Sequence, residues 1–528
     1  MKELPLGIQT FEKIRKDPEK YVYIDKTKEI AAIAKEVTPC FLSRPRRFGK
    51  SLTCSTIQAL FEGKKELFKD LWIAEEGRWK WEEHPVVYLN FAEIDHENVS
   101  QLKKGLFETL QDVGEKYGIT VDSGVTLKTA FKRLVQKLSQ KNPVVIIVDE
   151  YDKPILDHIS NIPVAEKMRA TLSSFYGVIK NIDRYLRYIF ITGVTKFSKT
   201  SIFSGINNLY DLTYSEEGAT LCGYTHAELV TNFSEHIEAF AQEGEETSSE
   251  EIINKLREWY NGYRFSKKRL QDKTSFVYNP FSILSVLKFK LFENFWFESG
   301  TPRFLIDLLK KEEYSIINLN QEVQLAESEL GSFEIDDLPL FPILLQTGYL
   351  TLTNYDKEIR GYTAKFPNEE IRESMKEFIL KLMIKIQAST FHPLILSMRR
   401  AVLDGKIQLF CETMHQLFSH IPYDLHVKKE KYFQTIFFLI VHVVGANVKT
   451  EVPTNVGRID ALIETKNDVF LFEFKFKKTP EKALDQIKER KYFEPYMSIN
   501  KPITLIGLTF DLEKKNISSD WIIEKIKK

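Results

Sequence analysis

Two short stretches of this sequence hold residue types whose spacing can do chemistry. The first is SRPRRFGKSL, Ser43–Leu52. In the order Gly49-Lys50-Ser51 it supplies what a phosphate-cradling loop needs at a helix start: backbone N–H groups aimed at an anion, an ammonium to neutralise it and a hydroxyl for Mg2+. The full pattern is GxxxxGK[ST], and Arg44 stands where its first glycine would be. Either Arg44 costs the loop its geometry, or it contacts phosphate itself together with Arg46 or Arg47; the residues alone leave both readings open. Further on, VVIIVDE sets Asp149 and Glu150 at the end of an apolar, β-branched run. At the carboxyl edge of a sheet, Asp149 can hold Mg2+ through water and Glu150 can orient or deprotonate an attacking water. Thr192, closing RYIFITGV, is placed to sense a terminal phosphate. The expectation is an ATP site with Arg46, Arg47, Gly49, Lys50, Ser51, Asp149 and Thr192 on the nucleotide, Ser51 and Asp149 on the metal, and Glu150 as catalyst.

The second stretch is GRIDALIETKNDVFLFEFKF, Gly457–Phe476. In a strand, residues two apart share a face, so Leu471, Glu473 and Lys475 point one way while Phe470, Phe472, Phe474 and Phe476 point into a core. TKND reads as a four-residue hairpin loop, and pairing Glu464 with Val469 sets Asp460 opposite Glu473, Cβ atoms about 5 Å apart. Carboxylates that close repel unless a cation lies between them, and an oxygen-coordinated Mg2+ is the natural occupant. Lys475, one strand step on, can orient a metal-bound water and stabilise charge on a phosphate, which suits phosphodiester hydrolysis. Glu430 on the preceding helix adds a further carboxylate, Gly457 and Arg458 offer a close backbone approach and a phosphate contact, and Gln486 and Tyr492 on a later helix line the site. The plain alternative is a surface hairpin with a cross-strand salt bridge.

The elements that must position these groups follow from the hydropathy pattern. Between about Thr38 and Val194, short apolar strands (TPCFLS, HPVVYLNFA, PVVIIVDE, RYIFITGV) alternate with helices near 50–62, 99–117, 126–140 and 164–182. That alternation indicates an α/β fold with a parallel sheet covered on both faces. After about Ser215 helices dominate, interrupted by WYNGYRF, YNPFSIL and LLQTGYLTLTNYD; the last, a helix running into a hairpin, is winged-helix-like. The aromatic stretch WYNGYRF, with Lys267, Lys268 and Arg269 behind it, is a packed turn beside solvated lysines, or else a stacking surface for nucleic acid. Lys477 and Lys478 follow the second site as ordinary strand-end lysines or as backbone contacts to nucleic acid. The divisions drawn are 1–215, a helical lid-like region 216–367, a helical connector 368–422 and a compact α/β unit 423–528.

With 528 residues the chain is too long for one core, and 43% hydrophobic with 28% charged residues is the balance of a soluble globular protein. Lys+Arg and Asp+Glu both total 74, so no global field steers it onto nucleic acid and any such contact is local. Four scattered cysteines without a CxxC read as reduced thiols in the cytoplasm. MKELPLGIQT has no apolar signal core, and the longest apolar run, Ile436–Ala446, falls short of the roughly 20 residues a membrane helix needs. No membrane partner is expected; a homo-oligomer is left open.

Taken in order, LPLGIQTFEKI, YVYIDKT, SRPRRFGKSL, VDEYDKP, ITGVTKFSK and FSGINNLYDLT resemble the AAA-ATPase-like domain of a large prokaryotic family, over about residues 1–215. That resemblance implies a P-loop NTPase fold, in a family where the first loop glycine is commonly absent. PRRFGKS is also similar to archaeal-type ATPases of the STAND class, which implies an ATP switch. The helix, hairpin, ExK strand and QxxxxxY helix resemble the PD-(D/E)xK nuclease superfamily, of restriction-endonuclease-like α/β fold, over about residues 423–520. The resemblance implies Asp460 and Glu473 as metal ligands, Lys475 as catalytic lysine, and Glu430 and Gln486 in support; Ile459 stands where the motif's proline would be. The expected protein binds and hydrolyses ATP and controls a Mg2+-dependent nuclease acting on DNA or RNA, with defence as an extension. The alternative is an ATP-driven sensor whose nuclease-like domain only binds nucleic acid or a protein partner.

Overall fold

The computed structural model describes residues 1–197, 202–203, 206, 208–243, 248–268, 270, 272–300, 305, 308, 322–421, 430–445, 447–454, 457–476, 478–499, 501–511, 514 and 516–526, with backbone alone at 273, 298–300, 430–432, 447–454 and 457–458. The chain forms two compact units that part between Arg372 and Glu373.

In the first unit the continuous apolar runs become a parallel sheet whose inner strands are largely buried. Its strands are β1 (Cys40–Ser43), β2 (Val86–Asn90), β3 (Val144–Asp149), β4 (Leu186–Gly193) and β5 (Tyr210–Asp211), in spatial order β2-β3-β4-β1-β5. β2 precedes the acid strand in sequence, but β4 lies between the loop strand β1 and the acid strand β3 in space. The carboxyl ends of β1, β3 and β4 therefore meet at one edge. Helices α1 (Lys50–Phe61), α2 (Val99–Lys116), α3 (Leu127–Leu138) and α4 (Ile162–Tyr176) fill the intervals. Asn98 and Thr126 open α2 and α3 by accepting backbone N–H bonds, as capping residues do. The helix expected over 164–182 ends at Tyr176, where Gly177 follows as the poorest helix former in the run; a single turn, Ile179–Ile182, resumes beyond it.

The middle of this unit is helical. α5 (His226–Asn232), α6 (Ser234–Glu243), α7 (Ser249–Tyr260) and α8 (Pro280–Phe289) share a core with the N-terminal Val22 and Ile24. Thr225–Glu228 and Ser248–Glu251 form reciprocal capping boxes at the starts of α5 and α7. Past β6 (Val323–Ala326), helix α9 (Leu340–Gln346) runs into the hairpin β7 (Thr351–Asp356) and β8 (Gly361–Lys365), the helix-to-hairpin passage that the Thr-Gly turn signals.

Helices α10 (Glu369–Ile384), α11 (Ala388–Leu403) and α12 (Ile407–Phe418) follow, with the unit boundary inside α10. In the second unit α13 (Glu430–Val443) takes in the longest apolar run from Ile436 to Val443, and its Ile436, Phe437 and Ile440 are buried. Then come β9 (Asn447–Thr454), β10 (Gly457–Glu464), β11 (Val469–Phe476), α14 (Pro480–Glu489), β12 (Ile503–Asp511), β13 (Asn516–Ile517) and β14 (Ile522–Ile526). The mixed sheet runs β9-β10-β11-β12-β13, with β14 also on β12. β11 and β12 are parallel, so α14 is the crossover that parallel pairing requires. Among the described residues no single helix is long and apolar enough to cross a membrane.

Candidate active sites

The first site is built where β1 ends and α1 begins. Two residues of the connecting loop take left-handed backbone, Arg47 (φ 66°) and Gly49 (φ 94°), and only the glycine does so without a Cβ penalty. Lys50, at the first turn of α1, is buried; its Nζ donates to the carbonyls of Arg44 and Pro45, both at 3.0 Å, and so draws the loop around its own ammonium. Ser51 follows on the same turn, half-buried.

The structure decides between the two readings of Arg44. Its side chain is 0% exposed, and its guanidinium donates to the carbonyls of Ser43 (2.8 Å), Thr213 (2.7 Å) and Gly218 (2.6 Å) while lying 4.1 Å over the Phe265 ring. Burial pulls its pKa down to about 10, still high enough to keep the charge at neutral pH. Arg44 is therefore turned into the protein and contacts no phosphate; it braces the loop from beneath. The indole N–H of Trp296 adds a bond to the Arg46 carbonyl at 2.9 Å. Arg46 is half-buried, and Arg47 is exposed with its guanidinium 4.8 Å over Phe281.

Asp149 and Thr192 close the neighbouring strands, and the Thr192 hydroxyl donates to Asp149 Oδ1 at 2.6 Å. Thr192 thus fixes the orientation of the acid rather than standing apart from it. Glu150 is held at φ 56°, a strained conformation for a residue with a Cβ, of the kind that gathers at functional sites. Burial raises its pKa; the Asp149 charge adds to the rise and the Lys50 charge opposes it. Asp152 lies inside the motif VDEYDKP, where spacing alone assigns it no role. It is buried, and its Oδ2 accepts from the Val194 N–H (3.0 Å), the Thr195 N–H (2.7 Å) and the Thr195 hydroxyl (2.7 Å), locking the end of β3 to the end of β4. Nothing in its position along the sequence distinguishes it from a solvated strand-end acid.

The second site stands on the β10–β11 hairpin. Glu464 pairs with Val469 and Ala461 with Phe472, the register read from the loop length. Continuing it by one residue sets Asp460 opposite Glu473, but there the ladder stops, and Asp460 Oδ2 accepts the Phe474 N–H at 3.0 Å instead. Lys475 Nζ donates to Glu473 Oε1 at 2.9 Å, and Gln486 Nε2, from α14, donates to that same oxygen. Glu473 is 2% exposed and its second oxygen, Oε2, is buried without a partner. Burial raises the pKa values of both carboxyl groups, and for Asp460 the neighbouring Glu473 charge raises it further. An Asp460 whose ionisation the Glu473 charge makes costly, beside a Glu473 with an unpartnered buried oxygen, is a donor set that a divalent cation completes.

The Glu473 face of β11 is charged at its Glu473–Lys475 end, while Leu471 packs with Leu484, Ile487 and Leu505 under α14. One expectation needs correction. Tyr492 belongs to that same apolar cluster and is 1% exposed, so it supports the hairpin from within the core and does not line the site. The side chains of Glu430 and Arg458, and residues Arg269 and Lys477, lie outside the described residues; among those described, no group of three or more His, Cys, Asp or Glu gathers around a point. The stretch WYNGYRF is a packed turn: Tyr260, Tyr263 and Phe265 are buried, and Tyr263 and Phe265 meet Phe48 of the loop at 4.8 and 5.4 Å.

Fold and sites define a P-loop ATPase-like unit joined to a restriction-endonuclease-like α/β unit. Residues 5–203 match the family of predicted AAA-ATPases and residues 428–520 match the PD-(D/E)XK nuclease superfamily. The chain is also 32% identical, over 543 aligned residues that take in 99% of each chain, to the "Uncharacterized protein in vnfD 5'region" of Azotobacter chroococcum mcd 1. It belongs to the same family as that protein, with an AAA-ATPase-like domain at the front and a PD-(D/E)XK nuclease superfamily domain at the end.

Proposed function

We propose that the chain binds and hydrolyses ATP with Mg2+ at the loop site, cuts DNA or RNA phosphodiesters at the hairpin site in a Mg2+-dependent manner, and uses the first activity to control the second. The observation that carries this reading is buried Glu473, with its unpartnered oxygen, set beside half-buried Asp460 and an adjoining lysine. Setting an acid and a lysine in a phenylalanine-rich strand, with a second acid on the strand beside it, is costly unless they have a use. Asp460 and Glu473 would hold the cation, which supplies Lewis acidity and a reactive water when bound. Gln486 and Lys475 hold Glu473 Oε1, which would leave the buried Oε2 available to the ion. The Lys475 ammonium offsets charge that develops on the phosphate. At the loop site Lys50 would exchange its two carbonyls for phosphate oxygens, Asp149 would hold Mg2+ with Ser51, and Glu150 would orient the attacking water. Four buried free thiols fit a reducing cytoplasm.

The test is Mg2+-dependent cleavage of plasmid, linear and single-stranded DNA and of RNA, with and without ATP, in the unmodified protein beside D460A and K50A. Cleavage that disappears in D460A and no longer responds to ATP in K50A is expected. Intact ATP hydrolysis with no cleavage of any substrate would sink the nuclease reading in favour of an ATP-driven binder.

A further inference from the structure

The loop site lies at the carboxyl edge of the parallel sheet, where open α/β sheets bind their ligands. The opposite, amino edge also holds a cavity, half-open and of about 330 Å3. Residues that lead into the strands line it: His84, two positions before β2, and Arg187, the second residue of β4. Phe61, which also borders it, is the last residue of α1, and Lys50 is the first. The 12-residue length of that helix, roughly 18 Å, separates the cavity from the phosphate loop.

Positive charge gathers here although the chain as a whole is neutral. Lys35, Lys80 and Arg187 line the cavity with no carboxylate partner among the described residues, while Arg78 is paired with Glu75. Arg187 is placed by long bonds to the Ala34 and Lys35 carbonyls, 3.3 Å each, at the end of the helix Thr27–Ala34, and its guanidinium lies 5.4 Å from the centre of the Phe61 ring. One lining acid, Glu82, stands against these three cations, which leaves two positive charges unmatched. The remaining walls suit a planar group that carries an amine. Trp79 is half-buried, its ring edge-on to Phe61 with 5.6 Å between centres, and its indole N–H is buried with no acceptor among the described residues. His84 Nδ1 lies 2.8 Å from the Pro143 carbonyl, which can only accept, so Nδ1 carries the proton and Nε2 is the acceptor of the neutral ring. Glu82 Oε2 stands 3.9 Å from that nitrogen.

We infer that this cavity is a second ligand site, separate from the loop site, and that it takes a nucleoside monophosphate. A phosphomonoester carries about −1.5 to −2 charges near neutral pH, which matches the two positive charges that Lys35, Lys80 and Arg187 leave over Glu82. Small-molecule sites run from about 300 to 1,000 Å3, so this volume holds one nucleotide and not a strand. The accessible part of Trp79 is a surface on which a base stacks. Glu82 and His84 Nε2 are acceptors for the base's exocyclic amine, and the unmet Trp79 N–H favours a ligand rich in oxygen acceptors. None of this depends on how the Gly49-Lys50-Ser51 loop is read.

Calorimetric titration of the full chain tests this with AMP, GMP, CMP, the three nucleosides without phosphate, and ribose 5-phosphate. The unmodified protein is compared with K50A, which alters the loop alone, and with K35E/K80E, which reverses two exposed charges of the cavity. At least one nucleotide should bind about tenfold or more tighter than ribose 5-phosphate, which lacks the base that stacks, and than its own nucleoside, which lacks the phosphate. K50A should bind that nucleotide as the unmodified protein does. K35E/K80E should bind it about tenfold or more weakly with an unchanged melting temperature. Independently of how the variant folds, the bound nucleotide should protect Lys35 and Lys80 of the unmodified protein from acetylation, read by peptide mass spectrometry. Failure of all three nucleotides to bind, binding that K50A removes, binding that K35E/K80E leaves untouched, or acetylation of both lysines at full rate would each overturn the site. Ribose 5-phosphate binding as tightly as the nucleotides would overturn the assignment of a nucleoside ligand.

Discussion

Arg44 occupies a glycine position of the phosphate-loop pattern because its side chain leaves the loop altogether. Its guanidinium meets the Ser43, Thr213 and Gly218 carbonyls in a buried setting, so truncation leaves acceptors without donors. R44A should lower stability by about 2–4 kcal/mol in thermal or denaturant unfolding. R44G, although it restores the pattern, should destabilise just as much and bring no gain in ATP affinity; tighter ATP binding in R44G would contradict the bracing role. A second residue to test is Glu370, fully buried, whose carboxylate accepts from the Trp296 N–H (2.6 Å) and the Ser282 hydroxyl (2.9 Å). Burial raises its pKa from 4.5 to about 8 in the folded chain. Between those values the folded protein keeps a proton that the unfolded chain releases, so this contribution to stability is full below pH 4.5 and is lost as the pH rises through 8. E370Q, which stays neutral, should melt like the unmodified protein near pH 5 and above it near pH 8.5. Parallel melting curves across that range would mean that Glu370 is ionised throughout. Neither residue's setting is legible locally. Apart from the adjacent Ser43, the partners of Arg44 lie 169 and 174 positions away, and Trp296 lies 74 from Glu370, so no window of sequence brings them together.

At the scale of elements, what repeats along the chain was legible and what depends on distant partners was not. The parallel sheet of the first unit follows from β-branched runs set between amphipathic helices, and the hairpin register follows from a four-residue loop and the period of two. The covering of the Glu473 face by α14 had no such signal, because it is decided at Gly507 on β12. A Cβ there would stand 2.5 Å from the Pro480 carbonyl oxygen and 3.1 Å from the Leu484 nitrogen, so α14 lies this close to the sheet only over a glycine. Gly507 is also the β12 residue paired with Glu473, and α14 is the helix that brings Gln486 to Glu473 Oε1. G507A should therefore shift α14 and loosen that bond. The expected result is a folded but less stable protein whose Mg2+ requirement for cleavage rises about tenfold, the usual effect of disturbing a residue that orients a metal ligand. An unchanged Mg2+ titration in G507A would show that Glu473 is oriented without α14. Tyr492 lies in the core for the same reason: its spacing from Gln486 is visible in the sequence, but the apolar cluster that takes it in is assembled from β10, β11, α14 and β12 together.

At the scale of the whole molecule, the chain carries two sites whose chemistries are separable by single substitutions, and this makes control testable. In the proposed function Lys50 holds phosphate, whereas Glu150 acts on the water that attacks it, so K50A should abolish binding while E150Q should retain ATP and stop turnover. If the nuclease follows the nucleotide state, these two variants fix opposite ends of the same switch: one is always empty, the other always loaded. Mg2+-dependent cleavage, measured at saturating ATP, should then differ between K50A and E150Q in opposite directions from the unmodified protein, which cycles between the two. In E150Q the effect of ATP should persist after a single addition, and in K50A adding ATP should change nothing. Adding D460A to either variant should remove cleavage and leave its ATP behaviour as it was, because Asp460 belongs to the other unit. Cleavage that is the same in K50A, E150Q and the unmodified protein would show two activities that share a chain without coupling, and control would have to be given up while both sites stood.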